Sequence, residues 1–491
     1  MMLAGTGSDV GKSVIAAAFC RIFRQDGYRP APFKAQNMAL NSFVTPEGGE
    51  IGRAQAVQAE AAGVECETDM NPLLLKPVTD CDAQVVLNGT AIGNRSAAEL
   101  FRDGDRARLR GEVCAAFDRL AGRFNPVVME GAGSISEINL RSHDIVNMPM
   151  ALHAGADVFL VADIDRGGVF ASVYGSVMLL PENERRLLKG IIVNKFRGDR
   201  TLFEDGVRMM EELCGIPVLG VVPYFRDIRI ESEDSLAEEM RNRRPVPGRV
   251  NVAVVLLAHM SNFTDFDPLE CDPRVHLYYT ADPDAIAAAD IVILPGSKNT
   301  IGDLRALLDC GAAQGVLRAR KEGRTILGIC GGYQMMGADI HDPHDMEGSG
   351  KRMKGLGLLP VTTTLGRRKL TRRVRFTLDG EKASCTGYEI HMGATEPLPG
   401  TRPSPLCRLE SGAAEGYVLD ERCIGTYIHG ILDNPAFVDR LLAPYAGPSD
   451  GTFDYRAFRS GQYDRLAGHV RSHVDMDRIY RILGRDTAAK Q

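Results

Sequence analysis

At 491 residues the chain is long enough for two or three domains with full cores. Its formal charge of −6 gives no general nucleic-acid footprint, no apolar run reaches membrane-spanning length, and its 11 cysteines form no paired C-x-x-C framework. Those thiols are expected to be reduced in a cytoplasmic protein, all the more because the N-terminus enters a glycine-rich loop with no room for a signal peptide.

The first element is a short apolar strand, Met1 to Ala4, followed by Gly5-Thr-Gly-Ser-Asp-Val-Gly11-Lys12-Ser13 and a helical run from Val14. Backbone N–H groups from Gly5 through Thr6 and Asp9 to Gly11, with the helix N-terminus behind them, make an anion cradle for phosphates. Lys12 is placed to reach the terminal phosphates, and Ser13 to ligate Mg²⁺. The loop carries one residue more than the usual phosphate-binding pattern, which would require Gly where Thr6 stands. A glycine-rich turn capping a helix is the plainer alternative.

Apolar strand-like runs then alternate with helical segments: Pro126 to Glu130, Val158 to Asp163, Gly190 to Asn194 and Val218 to Val222. This alternation predicts a parallel sheet with helices on both faces and ligands at the carboxyl ends of the strands. Glu130, just before Gly131-Ala-Gly133, puts a carboxylate there that can hold Mg²⁺ or cap the next segment. Asn194 closes another strand and offers its amide to a purine edge. Asp163, Asp165 and Arg166 can position a carboxylate or phosphate, or form an ordinary ion pair.

The charged, proline-broken stretch from Arg241 to Gly248 predicts a boundary, with an ATP-binding domain over 1–240 and a second α/β domain over 249–437. In the second domain, Ile291 to Pro295 runs into Gly296-Ser297. Further on, Gly328-Ile-Cys330-Gly331-Gly332 has the form of a nucleophile elbow, in which small residues tolerate the turn that projects the thiol. The amides of Gly331 and Gly296 are candidates for an oxyanion hole. His429, at the end of the strand-like Gly425-Thr-Tyr-Ile, can hold the thiol as thiolate; a buried, inert cysteine is the plain alternative. His341 and His344 flank Asp342 in a polar loop without further ligand spacing, and the basic run Arg367 to Arg375 suits a polycarboxylate or a solvated strand face. Residues 438–491 read as a charged, amphipathic helical appendage.

Taken together, the phosphate loop, Lys34-Ala-Gln-Asn-Met-Ala-Leu-Asn-Ser, Gly52-Arg-Ala-Gln, Met70-Asn-Pro-Leu-Leu-Leu-Lys-Pro, Glu130-Gly-Ala-Gly-Ser, Asp163-Ile-Asp-Arg-Gly-Gly, Ser261-Asn-Phe-Thr-Asp-Phe-Asp-Pro-Leu, Leu294-Pro-Gly-Ser-Lys-Asn-Thr, the cysteine elbow, Gly387-Tyr-Glu-Ile-His391 and the His429 segment resemble the cobyric acid synthase family of cobalamin biosynthesis. The resemblance spans nearly the whole chain. It implies an N-terminal phosphate-loop domain similar to dethiobiotin synthetase, whose loop shares the extra residue, and a C-terminal class I glutamine amidotransferase domain. It also implies a corrinoid substrate, adenosylcobyrinic acid a,c-diamide, with glutamine as nitrogen donor and ATP with Mg²⁺ as activator, acting at the b, d, e and g carboxylates. Better-known class I amidotransferases carry Glu two residues after the histidine. Ile431 stands there, leaving Asp433 as a nearby acid of open role. The chain lacks the Asp-x-His-x-x-Gly signature of corrinoid domains that ligate cobalt, so recognition is expected through the corrin periphery. Rival readings are a related amidotransferase acting at the a and c carboxylates, a partition or metal-insertion ATPase, and a non-catalytic interaction protein. The oligomeric state is left open.

Overall fold

The alternating apolar runs of the first half do pair in parallel. In the computed structural model, which describes residues 1–77, 82–96, 99, 103–225, 227–230, 244–402, 404–446 and 452–484, strands β1 (Met2–Gly5), β2 (Ala31–Phe33), β3 (Val127–Glu130), β4 (Val158–Asp163), β5 (Leu188–Phe196) and β6 (Val218–Pro223) form one sheet. Its order is β6-β5-β4-β1-β3-β2, parallel throughout. Strands β1, β3 and β4 are buried along their whole length, which is why they read as continuous apolar runs rather than alternating ones. Helix α1 (Lys12–Gln25) leaves β1 through the phosphate loop, and α2 (Arg53–Ala62) follows. A four-stranded sheet, Gln36–Met38, Leu73–Pro77, Asp82–Leu87 and Thr90–Ser96, adds to this part of the chain.

The second half repeats the logic with a different topology. Strands β7 (Val250–Val255), β8 (Val275–Thr280), β9 (Ile291–Leu294) and β10 (Thr325–Ile329) are joined after a long excursion by β13 (Tyr417–Asp420) and β14 (Cys423–Thr426) in the order β8-β7-β9-β10-β14-β13. Only the edge strand β13 is antiparallel. The excursion builds a second sheet around the long hairpin β11 (Val361–Leu378) and β12 (Ser384–Pro397), with the short strand β15 (Ile428–His429) paired to β12. Arg372 and Arg373, from the basic run, lie on β11: Arg372 pairs with Glu389, and Arg373 donates to Val44 O at 2.8 Å and lies over the Phe43 ring.

The chain forms two compact units, 1–39 with 49–231 and 458–491, and 40–48 with 232–457. The expected boundary residues 241–243 lie outside the described residues. Two departures from a simple linear division stand out. The segment from Leu40 to Gly48 belongs to the second unit. Beyond it, the C-terminal helices are not an appendage. Tyr463, Leu466, Ala467, Val470, Ile479 and Tyr480 share a core with Ile15, Phe19 and Phe23 of α1. Arg21 binds Asp464 through two nitrogens, and Asp475 N donates to Leu219 O, fastening this return to the first sheet. The amphipathic pattern predicts helices with one buried face and does not specify which surface covers that face.

Candidate functional site

The phosphate loop turns on Asp9 (φ 57°) and Gly11 (φ 95°), both in the left-handed region. A side chain at Gly5 would meet Lys12 Nζ at 2.8 Å and Gly133 O at 3.0 Å, so close approach requires glycine there. Lys12 Nζ donates to Gly7 O and Gly133 O, both at 2.9 Å, tying the loop to the turn after β3. Thr6 is fixed between the strands, its N–H donating to Val161 O.

Glu130 is 2% exposed and forms the centre of a hydrogen-bonded cluster. Its Oε1 accepts from Ser13 Oγ at 2.8 Å and Lys34 Nζ at 2.9 Å, and its Oε2 accepts from Gln58 Nε2 at 2.6 Å. Burial pushes the carboxyl upward, yet the Lys34 ammonium and the three hydrogen bonds outweigh it and hold the group below its ordinary value. Ser13 and Glu130, distant in sequence, thus come together, and their hard oxygens suit Mg²⁺. Nothing local in the sequence announces Lys34 and Gln58 as partners, since these contacts span 96 and 72 residues.

Asn194 sits at the end of β5, but its amide nitrogen donates to Val10 O at 2.9 Å. One N–H of the amide expected at a purine edge thus holds the phosphate loop. Around it, Asp163 pairs with Lys195 at 2.9 Å, Asp165 with Arg197 at 2.6 Å, and Arg166 lies 3.5 Å from Asp9.

Cys330 stands where β10 meets helix α3 (Gly331–Met336), at φ 51° and ψ −109°. A non-glycine residue in that region is strained, and it is held by its surroundings. A side chain at Gly332 would strike Leu294 O at 1.9 Å, and one at Gly328 would meet Tyr333 N at 2.8 Å, so the elbow closes only with small residues on both sides. The candidate oxyanion residues converge on the same corner: a Cβ at Gly331 would lie 2.7 Å from Ser297 N, and one at Gly296 only 3.3 Å from His429 Cε1.

His429 is 1% exposed. Its Nδ1 lies 2.6 Å from Asp265 Oδ2, and the other Asp265 oxygen accepts from Gly430 N at 3.1 Å. Burial opposes a charge on the ring, but the carboxylate of Asp265 and the sulfur of Cys330 prevail and push its pKa up to about 10. Asp265 is therefore an acid that orients the imidazole. No triad signature pointed to it, since it precedes the histidine by 164 residues; its place in Ser261-Asn-Phe-Thr-Asp265 was the only signal. Two asparagines hold its loop: Asn41 Oδ1 accepts from Phe263 N at 3.1 Å, and Asn262 Oδ1 accepts from Ser42 N at 3.2 Å. Tyr388, on β12, stacks against His429 with ring centroids 5.4 Å apart.

Asp342 caps its own loop, accepting from Met346 N and Glu347 N, and no cluster of three or more metal-ligating side chains occurs among the described residues. No helix there is long and apolar enough to cross a membrane.

An elbow thiol beside a buried His–Asp pair is the equipment of a glutamine-hydrolysing site, and a phosphate loop with a buried Ser–Glu pair is that of a nucleotide site. Comparison with known proteins gives the same division. Residues 1–237 match the CobQ/CobB/MinD/ParA nucleotide binding domain, and residues 251–437 match the CobB/CobQ-like glutamine amidotransferase domain. Cobyric acid synthase from Bacteroides fragilis is 65% identical over 484 residues, covering 98% of both chains. The protein of that name from Phocaeicola vulgatus is 63% identical over 485 residues with the same coverage, and that from Syntrophobacter fumaroxidans is 49% identical over 510 residues, covering 99% of this chain and 98% of its own. The chain belongs to the cobyric acid synthase family, glutamine-dependent amidotransferases that act on corrinoid carboxylates.

Proposed function

We propose that the protein amidates the b, d, e and g side-chain carboxylates of adenosylcobyrinic acid a,c-diamide, using ATP to activate each carboxylate and glutamine to supply nitrogen. The observation that carries this reading is the presence of both chemistries in one chain: the Lys12–Ser13–Glu130 cluster and the Cys330–His429–Asp265 cluster. A carboxylate is a poor acyl donor because its oxygen is a poor leaving group, so that oxygen takes the γ-phosphoryl of ATP, releasing ADP and leaving an acyl phosphate. Gly5, Thr6, Asp9 and Gly11 shape the cradle, Lys12 offsets charge on the phosphoryl group, and Asn194 steadies the loop through Val10. Ser13 and Glu130 are the residues that would hold Mg²⁺, which when bound offsets phosphate charge. Ammonia then attacks the acyl carbon and phosphate departs with the C–O bond.

The nitrogen comes from glutamine. Cys330 sulfur attacks the side-chain carboxamide, and amides of Gly331 and Gly296 receive the developing oxyanion. His429 passes a proton to the departing nitrogen as the C–N bond breaks, then takes one from the water that cleaves the thioester and frees glutamate. Asp265 is a positioning residue, holding the Nδ1–H so that the opposite nitrogen faces sulfur and substrate. The need for ATP and glutamine fits a cytoplasmic location. Mass spectrometry of the a,c-diamide incubated with enzyme, ATP and glutamine tests the reading, because each exchange of hydroxyl for amine leaves its own mass step. The expected end point is the fully amidated corrinoid. Accumulation of a product amidated only at other carboxylates from a less amidated precursor would point to the related a,c-acting enzyme instead.

A further inference from the structure

The Gly387-Tyr-Glu-Ile-His391 stretch lies on β12, and Tyr388 and Ile390 both contact the thiol site. Tyr388 stacks on His429, and the Cys330 thiol faces Ile390 O at 3.5 Å. His391 follows on the same strand. Its ring lies flat on Tyr427, with centroids 3.8 Å apart and planes 17° from parallel. Its Nδ1 is 2.7 Å from Gly393 O. A carbonyl only accepts, so Nδ1 carries the hydrogen and Nε2 is left with a lone pair. That Nε2 is shielded from solvent and has no hydrogen-bond partner.

Neighbouring donors are already engaged. Gln334 Nε2 donates to the Tyr427 hydroxyl at 3.3 Å, and Thr395 Oγ1 shares a 2.6 Å hydrogen bond with the same hydroxyl. Burial, first, lowers the His391 pKa below the ordinary histidine value against the Gly393 carbonyl and Glu389, with His429 and Arg372 adding to the decrease. The imidazole is consequently neutral, an acceptor fixed in one tautomer beside a cysteine nucleophile. A buried acceptor without a donor is destabilising in the resting protein, and such a group calls for a specific explanation.

We propose that His391 is a glutamine-binding residue, whose Nε2 accepts an N–H of the glutamine presented to Cys330. The proposal rests on Cys330 and His429 being the glutamine-hydrolysing pair, and it concerns recognition of the amino acid rather than the thiol chemistry.

The test is a set of substitutions read by steady-state glutaminase kinetics, with thermal unfolding of each variant alongside. His391→Asn carries an N–H toward Gly393 but no acceptor at the Nε2 position. His391→Gln carries a carbonyl oxygen near that position, and His391→Phe keeps the stack on Tyr427 alone. The expected result is a KM for glutamine raised about 10-fold or more in the Asn and Phe variants, with kcat at saturating glutamine changed far less and KM partly restored in the Gln variant. Inhibition by the product glutamate separates the two nitrogens of the ligand. A parallel weakening places the contact at the α-ammonium, and unchanged inhibition places it at the carboxamide. Wild-type KM in the Asn variant would overturn the proposal, as would equal KM increases in all three or a loss confined to kcat. Failure of the corrinoid reading would appear in product mass and leave these KM values untouched, so the two failures are distinguishable.

Discussion

The two chemical sites solve the same problem, placing reactive side chains at the carboxyl ends of parallel strands, with opposite degrees of locality. The phosphate site is written mostly in one run, Gly5 to Ser13, and the rest of the fold contributes Glu130 and its partners. The thiol site has no such run. Asp265, Gly296, Cys330 and His429 come from four separated segments, and the loop bearing Asp265 is fastened by Asn41, still further away in sequence. A site assembled this way depends on positioning residues that touch no substrate, and its function should therefore be graded rather than all-or-none under substitution.

The sharpest way to break the comparison is to remove one reactive group from each site. Cys330→Ala is expected to lower glutamine-dependent synthesis by about 10³-fold or more while leaving synthesis from ammonium at alkaline pH, since free ammonia bypasses the thiol. Lys12→Ala is expected to lose synthesis from either nitrogen source, because acyl activation fails first. Product formation with glutamine and with ammonium, measured side by side, separates the halves; near-normal synthesis by Lys12→Ala would remove the phosphate-loop assignment.

Next in size is Asp265→Asn. Loss of the carboxylate removes the main influence raising the His429 pKa, leaving burial to lower it. Glutaminase kcat/KM is expected to fall about 10²-fold, and its alkaline limb, expected near pH 10 in the intact protein from the raised His429 pKa, should move toward lower pH. The stability sign follows: a histidine pKa raised on folding stabilises fully below the unfolded value near 6.5, and that stabilisation is lost as pH rises through about 10. Asp433→Asn should change glutamine use only modestly; a loss equal to that of Asp265→Asn would give both acids a part in orienting the histidine.

The C-terminal helices extend the comparison to stability. Leu466, fully buried against the α1 core, is expected on replacement by Ala to destabilise the first unit by about 2–4 kcal/mol, read as a lower denaturant midpoint. An appendage would show no such shift. The smallest expected effect belongs to Asn41→Ala, which leaves Phe263 N without its acceptor and loosens the Asp265 loop. A loss of about 1 kcal/mol, or roughly fivefold in glutaminase kcat/KM, with unchanged ATP dependence would identify Asn41 as a support of the thiol site.

What could be read from the residues alone was what depends on neighbours in sequence. The strand–loop–helix at Gly5 to Ser13, the elbow at Gly328 to Gly332 and the buried parallel strands Val158 to Asp163 and Ile291 to Leu294 are specified by steric and apolar patterns within a few positions. His429 was legible because it ends an apolar strand. Only the tertiary structure could choose Asp265 as its partner, engage Asn194 with Val10, join Lys34 and Gln58 to Glu130, and give the C-terminal helices a place on α1. Each of these is a contact across tens to hundreds of residues, made because a buried charge or amide must find a partner and an apolar helix face must find a surface. The sequence states that need, and the folded chain decides which group meets it.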